Sequence, residues 1–346
     1  MADSGRRIYL ASRPEGMPTE DNLVLESMPI PSPGDGEMLL ETVYLSLDPY
    51  MRGRMSAERS YAQPVAIGQT MVGGTVSRVL ESRLDGYAAG DYVLSFNGWQ
   101  THALSDGTGV RKLDPAQAPL STALGVMGMP GFTAYVGLLD LGKPQPGETV
   151  VVSAASGAVG QVVGQLGKLK GCRVVGVAGS EDKCRYVTEE LGFDACVNHR
   201  DEALPQALAA ACPDGVDIYY ENVGGKVLDA VTPLLNEFGR MPVCGTIAHY
   251  NDTAPPSGPD RLAGFMRAVL TRKLTVRGFI QSDHLERMPD FLKDMSGWLK
   301  DGRIRYKEDI VDGLDNAVKA FQGLLQGENR GKLLVRVVPD PTRGNA

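Results

Sequence analysis

The residues best placed for chemistry form a turn of small residues, "AASGAVG", between an apolar segment and an amphipathic one. Ala154, Gly157 and Gly160 have the spacing of a strand-to-helix turn that binds a pyrophosphate. The first position makes the turn, the second lets the backbone approach the phosphates, and the third lets the helix lie close to the strand. We assign Ala158 and Val159 to the same turn. Because "ETVVVS" precedes it and "RVVGVA" follows its helix, the segment predicts a dinucleotide-binding βαβ unit.

The second strand of this unit ends without the acidic residue that would accept hydrogen bonds from the ribose 2′-hydroxyl of NAD(H). Gly179 and Ser180 stand there instead, and Lys183 follows one turn into the next helix. The small residues leave room for a 2′-phosphate, and the lysine can pair with it. Glu181 and Asp182 oppose this interpretation, although acidic residues in a first helical turn also favour the helix dipole. The pattern favours NADP(H) over NAD(H).

Metal ligands are scarce in the first third of the chain. Residues 1–125 contain no cysteine, and their only histidine is His102. A catalytic zinc site needs about three protein ligands, mostly Cys and His. We therefore predict no metal site and exclude a zinc alcohol dehydrogenase.

The predicted elements divide the chain into two kinds of segment. Residues 1–125 read as short apolar or alternating strands separated by Gly, Pro and Asp turns, which is typical of a sandwich or a partly closed barrel. From residue 126, strands and helices alternate, which predicts a doubly wound parallel sheet. That sheet already has six strands before "RYKEDIV", so the tail is expected to rejoin the first domain. We predict one domain from residues 1–125 and 311–346, and a second from residues 126–310.

Several longer motifs resemble the zinc-independent medium-chain dehydrogenase/reductase family, in its leukotriene B4 12-hydroxydehydrogenase/prostaglandin reductase group. The resemblance is densest in "YLSLDPYMRGRM", "LGVMGMPGFTAYVGLLDLG", "IYYENVGGKVLDAV" and "GENRGKLLV". "LSLDPYMRGRM" and "GPDRL" point to the bacterial branch of NADPH-dependent curcumin reductases. The resemblance implies an α/β fold in which a Rossmann doubly wound parallel sheet is inserted into a β-rich GroES-like catalytic domain.

The resemblance also implies a set of residues around NADP(H). Beside Gly179, Ser180 and Lys183 for the 2′-phosphate, it implies Met129, Pro130, Thr133, Asn222, Val223, Cys244, Gly245, Thr246, Tyr250, Phe279 and Asn329. His199 stands where the group often has Tyr, and we include it as a second 2′-phosphate contact.

Tyrosine hydroxyls are the candidate catalytic groups. Tyr250 follows the fifth strand of the predicted sheet, and ligands bind at the carboxyl ends of parallel strands. Tyr50 and Tyr61 are candidates in the first domain, although such tyrosines often only pack against the core. His249 is an equally good acid chemically, but the resemblance points to Tyr250.

The resemblance implies reduction of a carbon–carbon double bond conjugated to a carbonyl, with hydride delivered to the β-carbon and no metal. Two alternatives stay open. Quinone reduction uses the same cofactor and needs no positioned proton donor, and a structural or sensing protein would bind NADPH without turnover.

The formal charge of −7 and the lack of a basic stripe argue against a nucleic-acid-binding protein, which needs a basic face. No apolar run is long enough to span a membrane. Five cysteines without a CxxC pair favour a reducing cytoplasm. "LTVRGFI" is expected to be the last strand of the sheet, and its free edge, together with the resemblance, predicts a homodimer acting on a small-molecule enone or alkenal.

Overall fold

The structure is a computed structural model that describes residues 4–255 and 259–343. The chain folds into two compact units. The first unit contains Met1–Gly125, Glu308–Asn329 and Leu333–Ala346, and the second contains Val126–Lys307 and Arg330–Lys332. The first unit thus resumes at Glu308, a little before the predicted residue 311, and Arg330–Lys332 lies with the second unit although the sequence prediction gave it to the first.

The strands are numbered in chain order. They are β1 (Ser4–Leu10), β2 (Leu23–Pro29), β3 (Met38–Ser46), β4 (Thr75–Ser82), β5 (Tyr92–Ser95), β6 (His102–Ser105), β7 (Arg111–Leu113), β8 (Thr149–Ser153), β9 (Arg173–Ala178), β10 (Ala195–Asn198), β11 (Val216–Tyr220), β12 (Leu235–Val243), β13 (Thr275–Gly278), β14 (Glu308–Asp312) and β15 (Lys332–Arg336).

The α-helices are α1 (Tyr50–Arg54), α2 (Met129–Tyr135), α3 (Gly160–Leu169), α4 (Glu181–Arg185), α5 (Leu204–Ala211), α6 (Gly225–Val231), α7 (Leu262–Thr271), α8 (Met288–Lys300) and α9 (Ala317–Leu325). Helices α2 and α4 continue as π-helical turns over Val136–Gly142 and Tyr186–Glu190. Among the described residues, no helix is both long enough and apolar enough to cross a membrane.

The first unit is built on a sheet of seven strands, in the order β14-β15-β3-β4-β5-β7 with β6 also paired to β3. The C-terminal strand β15 pairs antiparallel with β3, so the end of the chain returns to its beginning. Helix α9 buries Phe321 against Trp99, with ring centroids 5.5 Å apart in an edge-to-face arrangement. Strands β1 and β2 form a separate antiparallel pair, which was not predicted from the sequence.

The second unit is built on a six-stranded parallel sheet in the order β10-β9-β8-β11-β12-β13. This is the Rossmann order, because the first strand of the unit, β8, lies between the second and the fourth. Both faces are covered: Val150 and Val152 of β8 contact one apolar cluster, and Val151 contacts the other. The predicted fold class, a doubly wound sheet together with a β-rich unit, is confirmed.

Local signals place several helix ends correctly. The Ser180 hydroxyl accepts the backbone N–H of Lys183 and caps α4. Pro205 lies in the first turn of α5, where a missing N–H costs nothing. The segment "GKVLDAVTPLLN" has a helical pattern over 225–236, but α6 ends at Val231 and β12 begins at Leu235. Pro233 explains the early end, since it has no N–H to continue the ladder.

Candidate active site

The turn after β8 has the close packing that the sequence predicts. Ala154 occupies the position of the first glycine in the left-handed region, with φ of 51°. A Cβ atom added to Gly160 would lie 2.3 Å from the Ala154 carbonyl oxygen, so only glycine lets α3 begin this close to the turn. At Gly157, an added Cβ would lie 3.2 Å from the same oxygen. Ala158 and Val159 complete the turn, and Val159 precedes the first residue of α3.

A second backbone segment lies against this turn. Gly331 donates its N–H to the Ser156 carbonyl at 2.8 Å and forms a parallel bridge with Gly157. A Cβ atom added to Gly331 would lie 2.0 Å from the Lys307 carbonyl oxygen, so this residue must be glycine. Gly331 follows Arg330, so this contact holds the chain next to Arg330 against the glycine turn. Asn329, the residue that the resemblance implied here, is the last residue of its stretch of the first unit.

The carboxyl end of β9 holds the residues proposed for a 2′-phosphate. A Cβ atom added to Gly179 would lie 3.1 Å from His199 Nε2 and 3.8 Å from Arg200 Nε. Burial lowers the pKa of His199, and the positive charges of Lys226, Arg200 and Lys183 lower it further. Gly179, His199, Lys183, Arg200 and Lys226 therefore form one cationic cluster.

Two features of this cluster fit a bound phosphate. The Nδ1 atom of His199 is buried and has no hydrogen-bond partner in the described part of the chain. The acidic side chains of the next turn are already paired, since Glu181 accepts a hydrogen bond from Asn198 at 3.0 Å and Asp182 pairs with Arg185. Sequence reasoning missed Arg200 and Lys226, because neither belongs to the strand–turn–helix motif.

A hydrogen-bonded network fixes the carboxyl end of β11. Glu221 is buried, and its Oε1 accepts the Ser153 hydroxyl at 3.0 Å and the Val223 N–H at 2.6 Å. Asn222 donates its backbone N–H to the Ser153 hydroxyl and its side-chain amide to the Ser153 carbonyl, both at 2.8 Å. The predicted residues Asn222 and Val223 are thus held in place by Glu221 and Ser153, which were not selected from the sequence.

The loop after β12 lies beside this network. Cys244 and Gly245 donate their N–H groups to the Glu221 carbonyl, and Ile247 donates to the Asn222 carbonyl. A Cβ atom added to Gly245 would lie 3.0 Å from the Tyr250 hydroxyl. Tyr250 therefore carries its hydroxyl over the backbone at Gly245.

Two more residues of that loop have defined positions. Thr246 lies near Gly224, because a Cβ atom added to that glycine would be 3.6 Å from the Thr246 Cβ. His249, the alternative acid, shares a hydrogen bond of 2.8 Å with Asp252. The imidazole of His249 is thus engaged on one side, whereas the hydroxyl of Tyr250 faces the loop backbone.

Tyr220, at the end of β11, connects the residues predicted around the nicotinamide. Its hydroxyl donates to the Thr133 carbonyl at 2.9 Å, and its ring meets the Phe279 ring edge to face at 6.3 Å. The Cys244 thiol lies close enough to the same hydroxyl to affect its titration, and burial raises the pKa of Cys244 to about 12. The Thr133 hydroxyl donates to the Met129 carbonyl at 2.8 Å. Pro130 lies in the first turn of α2.

The remaining candidate tyrosines belong to the first unit, whereas Tyr250 belongs to the second. Tyr50 begins α1, and burial, with the negative charge of Asp48, raises its pKa well above the usual range. Tyr61 is 63% exposed and lies close enough to Tyr50 to affect its titration.

Metal ligands are not clustered in the described ranges, 4–255 and 259–343. These ranges contain no group of three or more His, Cys, Asp or Glu side chains arranged to hold a metal ion.

The chain resembles known oxidoreductases over nearly its full length. Residues 6–113 match a family described as the N-terminal domain of oxidoreductase, and residues 158–297 match one described as zinc-binding dehydrogenase. NADPH-dependent curcumin reductase of Escherichia coli is 56% identical over 337 residues, 97% of each chain. Prostaglandin reductase 1 of Rattus norvegicus is 43% identical over 328 residues, 93% of this chain and 96% of the relative.

A solved structure agrees with these sequences. The crystal structure of CurA from Vibrio vulnificus in complex with NADPH is 52% identical, covers 97% of this chain and 100% of its own, and superposes with a TM-score of 0.94. The chain therefore belongs to the zinc-independent medium-chain dehydrogenase/reductases, in the group of the curcumin and prostaglandin reductases.

Proposed function

We propose that the protein catalyses the NADPH-dependent reduction of a carbon–carbon double bond conjugated to a ketone or aldehyde. The observation that carries the proposal is the 56% identity to a curcumin reductase over 97% of both chains. A prostaglandin reductase, at 43% identity, and an NADP-dependent 2-alkenal reductase, at 39% identity, are named for other compounds. The shared chemistry is therefore the activated double bond rather than one substrate.

The residues of the second unit fit NADP(H). The glycine turn after β8 lets a pyrophosphate approach the backbone, and the cations around Gly179 suit a 2′-phosphate. The unpaired Nδ1 of His199 is a buried polar atom available to such a ligand. Met129, Thr133, Cys244 and Phe279, with Tyr220 among them, are assigned to the nicotinamide end. When bound, NADPH supplies the hydride that reduces the β-carbon.

The protein's own part in the reaction is to position the substrate and to stabilise the charge that develops on its carbonyl oxygen. We assign this to the Tyr250 hydroxyl, which lies over Gly245 at the carboxyl end of the sheet. Tyr50 and Tyr61 are the further hydroxyl donors that we propose. Like any tyrosine, Tyr50 is protonated at neutral pH and can donate a hydrogen bond, and burial raises its pKa further.

No metal is assigned a part in this reaction. A conjugated carbonyl makes the β-carbon electrophilic without a Lewis acid, so oriented hydrogen-bond donors suffice. We expect activity to survive a strong chelator, and one tightly bound zinc ion per chain by elemental analysis would contradict this.

We further propose a homodimer formed through the edge strand β13. All four residues of this strand are exposed, and Leu262, Met266 and Leu270 form an exposed apolar stripe along α7. An open strand edge and an exposed apolar stripe are each surfaces that a second copy can cover. Light scattering at micromolar concentration should give the dimer mass, and Leu270→Glu should lower it to that of the monomer.

We place the protein in the cytoplasm, on the basis of its five free thiols. Appearance of the native protein in a secreted or periplasmic fraction would contradict this.

The test of function is a substrate panel with NADPH. An enone and an alkenal should be reduced, with the product two hydrogens heavier and its carbonyl retained. A simple quinone is the comparison, since a quinone reductase would prefer it. NADPH binding without turnover of any carbonyl compound would instead indicate a sensing protein.

A further inference from the structure

Two cysteines form a close pair in the second unit. Cys184 lies in α4 and Cys196 in β10, and the Cys196 thiol donates a hydrogen bond to Cys184 Sγ across 2.9 Å. Cys172, by contrast, donates to the Gln145 carbonyl, and Cys212 is buried in an apolar cluster. The pair is also next to the cationic cluster in sequence, because Lys183 precedes Cys184 and His199 follows Cys196 by three residues.

We propose that Cys184 and Cys196 are an oxidation site that closes to a reversible intramolecular disulfide and thereby weakens NADPH binding. The effect on NADPH rests on the cofactor assignment made under the proposed function, whereas formation of the disulfide does not.

The hydrogen bond gives the two sulfurs different roles. Because it is donated by Cys196, it lowers the pKa of Cys184 and, together with burial, raises that of Cys196. Cys184 is therefore the nucleophile and Cys196 the resolving thiol. Cys184 is only 7% exposed and Cys196 is partly buried, so the oxidant has to be small, such as a hydroperoxide.

The oxidation proceeds in two balanced steps. The Cys184 thiolate attacks the hydroperoxide, an S–O bond forms, the O–O bond breaks, and the alkoxide leaves and takes up a proton. The Cys196 sulfur then attacks the sulfenic acid, an S–S bond forms, and the S–O bond breaks. Hydroxide leaves with the thiol proton as water. Two thiols lose two electrons, and the hydroperoxide becomes one alcohol and one water.

The position of the pair connects this reaction to the cofactor. A disulfide bond is about 2.05 Å long, so the two sulfurs must approach from their present 2.9 Å. The Cys184 N–H donates to the Ser180 carbonyl, and the Ser180 hydroxyl caps the N–H of Lys183. A displacement of Cys184 therefore acts on the turn that carries Lys183. Through Cys196 in β10, the disulfide also constrains the segment that leads to His199.

The first arm of the test maps the disulfide. Reduced protein is treated with hydrogen peroxide, alkylated and digested without reductant. We expect a linked peptide pair containing Cys184 and Cys196, lighter by two hydrogens and released by dithiothreitol. Cys172→Ser, the matched control, should still give the pair, and Cys184→Ser should not. If the oxidised wild-type protein contains sulfinic acid at Cys184 and no linked peptides, the proposal is wrong. This outcome does not depend on whether a variant folds.

The second arm measures dissociation constants for NADPH and NADH on reduced and oxidised protein. We expect NADPH to bind about three- to tenfold more weakly after oxidation, because a displaced Lys183 loses part of one charge-assisted hydrogen bond. The dissociation constant of NADH should be nearly unchanged. An unchanged NADPH constant on protein shown to contain the disulfide overturns the coupling. If the reduced protein does not bind NADPH, the cofactor assignment and the coupling fall together, whereas the peptide map still decides the disulfide.

Discussion

The carboxyl ends of β9 and β11 belong to the same sheet, yet their polar side chains are used differently. At β11, Ser153, Glu221 and Asn222 exchange hydrogen bonds with each other and with the next loop. At β9, Gly179 lies beside His199, which follows β10; His199 has a buried nitrogen without a partner among the described residues and faces several cations. Most polar groups of the first end satisfy one another, although Glu221 Oε2 is buried without a hydrogen-bond partner among the described residues, whereas the cations of the second end suit an anion. We therefore propose that the end of β11 positions the reacting end of the site and that the end of β9 selects the cofactor by charge.

The largest expected effect concerns the loop that the β11 network supports. Tyr250→Phe should lower turnover of an enone by about 10²–10³, because a donor to the developing oxyanion is lost. The NADPH dissociation constant should change little, since the ring is kept. Both constants are measured on one preparation. Turnover within a few-fold of wild type would remove Tyr250 from the mechanism and point to Tyr50 or Tyr61.

The β9 end should respond in affinity rather than in turnover. Lys183→Ala should weaken NADPH binding by about 10- to 150-fold and leave NADH nearly unaffected, since a charge-assisted hydrogen bond to phosphate is lost. Lys170→Ala is the matched control, because Lys170 follows the C-terminal end of α3, at the end away from the glycine turn. An equal loss of affinity for NADPH and NADH would mean that Lys183 supports the fold and does not bind the phosphate.

The β11 end should respond in stability. Glu221→Ala removes the acceptor of the Ser153 hydroxyl and of the Val223 N–H, which should cost about 1–3 kcal/mol of the free energy of unfolding. Glu221→Gln keeps an acceptor and should cost less. Urea unfolding of the three proteins measures this. An alanine variant as stable as wild type would show that the network does not hold the loop.

The unpaired histidine predicts a pH dependence confined to NADPH. In the free protein, burial and the neighbouring cations keep the pKa of His199 below its usual 6.5. A bound phosphate favours the charged imidazole and raises that pKa, so binding takes up a proton. NADPH affinity should therefore strengthen as pH falls through the bound pKa and level off below the free one.

We expect a gain of about three- to tenfold in NADPH affinity between pH 8 and pH 6. Each unit by which binding raises the pKa of His199 can strengthen binding by at most about tenfold. The 2′-phosphate itself takes up a proton at about pH 6, so His199→Gln, which should lose the gain, is the reference profile. A wild-type NADPH profile that matches that of His199→Gln would show that His199 does not contact the phosphate.

The sequence predicted those features that depend on neighbours along the chain. The glycine turn, the Ser180 cap and most strands of the parallel sheet follow from patterns within a few residues. Local chemistry also accounts for the position of Pro205 in α5.

The features that it missed depend on contacts between distant segments. Arg200 and Lys226 reach the cluster at Gly179 from two other elements, so no spacing rule selects them. Glu221 and Tyr220 read as the end of a buried strand, and only the structure shows which groups they bind. Buried polar residues inside strand patterns are the signal that would have found both.

The most direct test of the account is the ratio of kcat/KM for NADPH to that for NADH, measured with one enone at saturating concentration. If the cations around Gly179 select the cofactor, the ratio should exceed about 100, the upper part of what a charge-assisted phosphate contact provides. It should fall toward unity in Lys183→Ala, while the product remains the saturated ketone. A wild-type ratio near one, or a product whose carbonyl is reduced, would contradict the account.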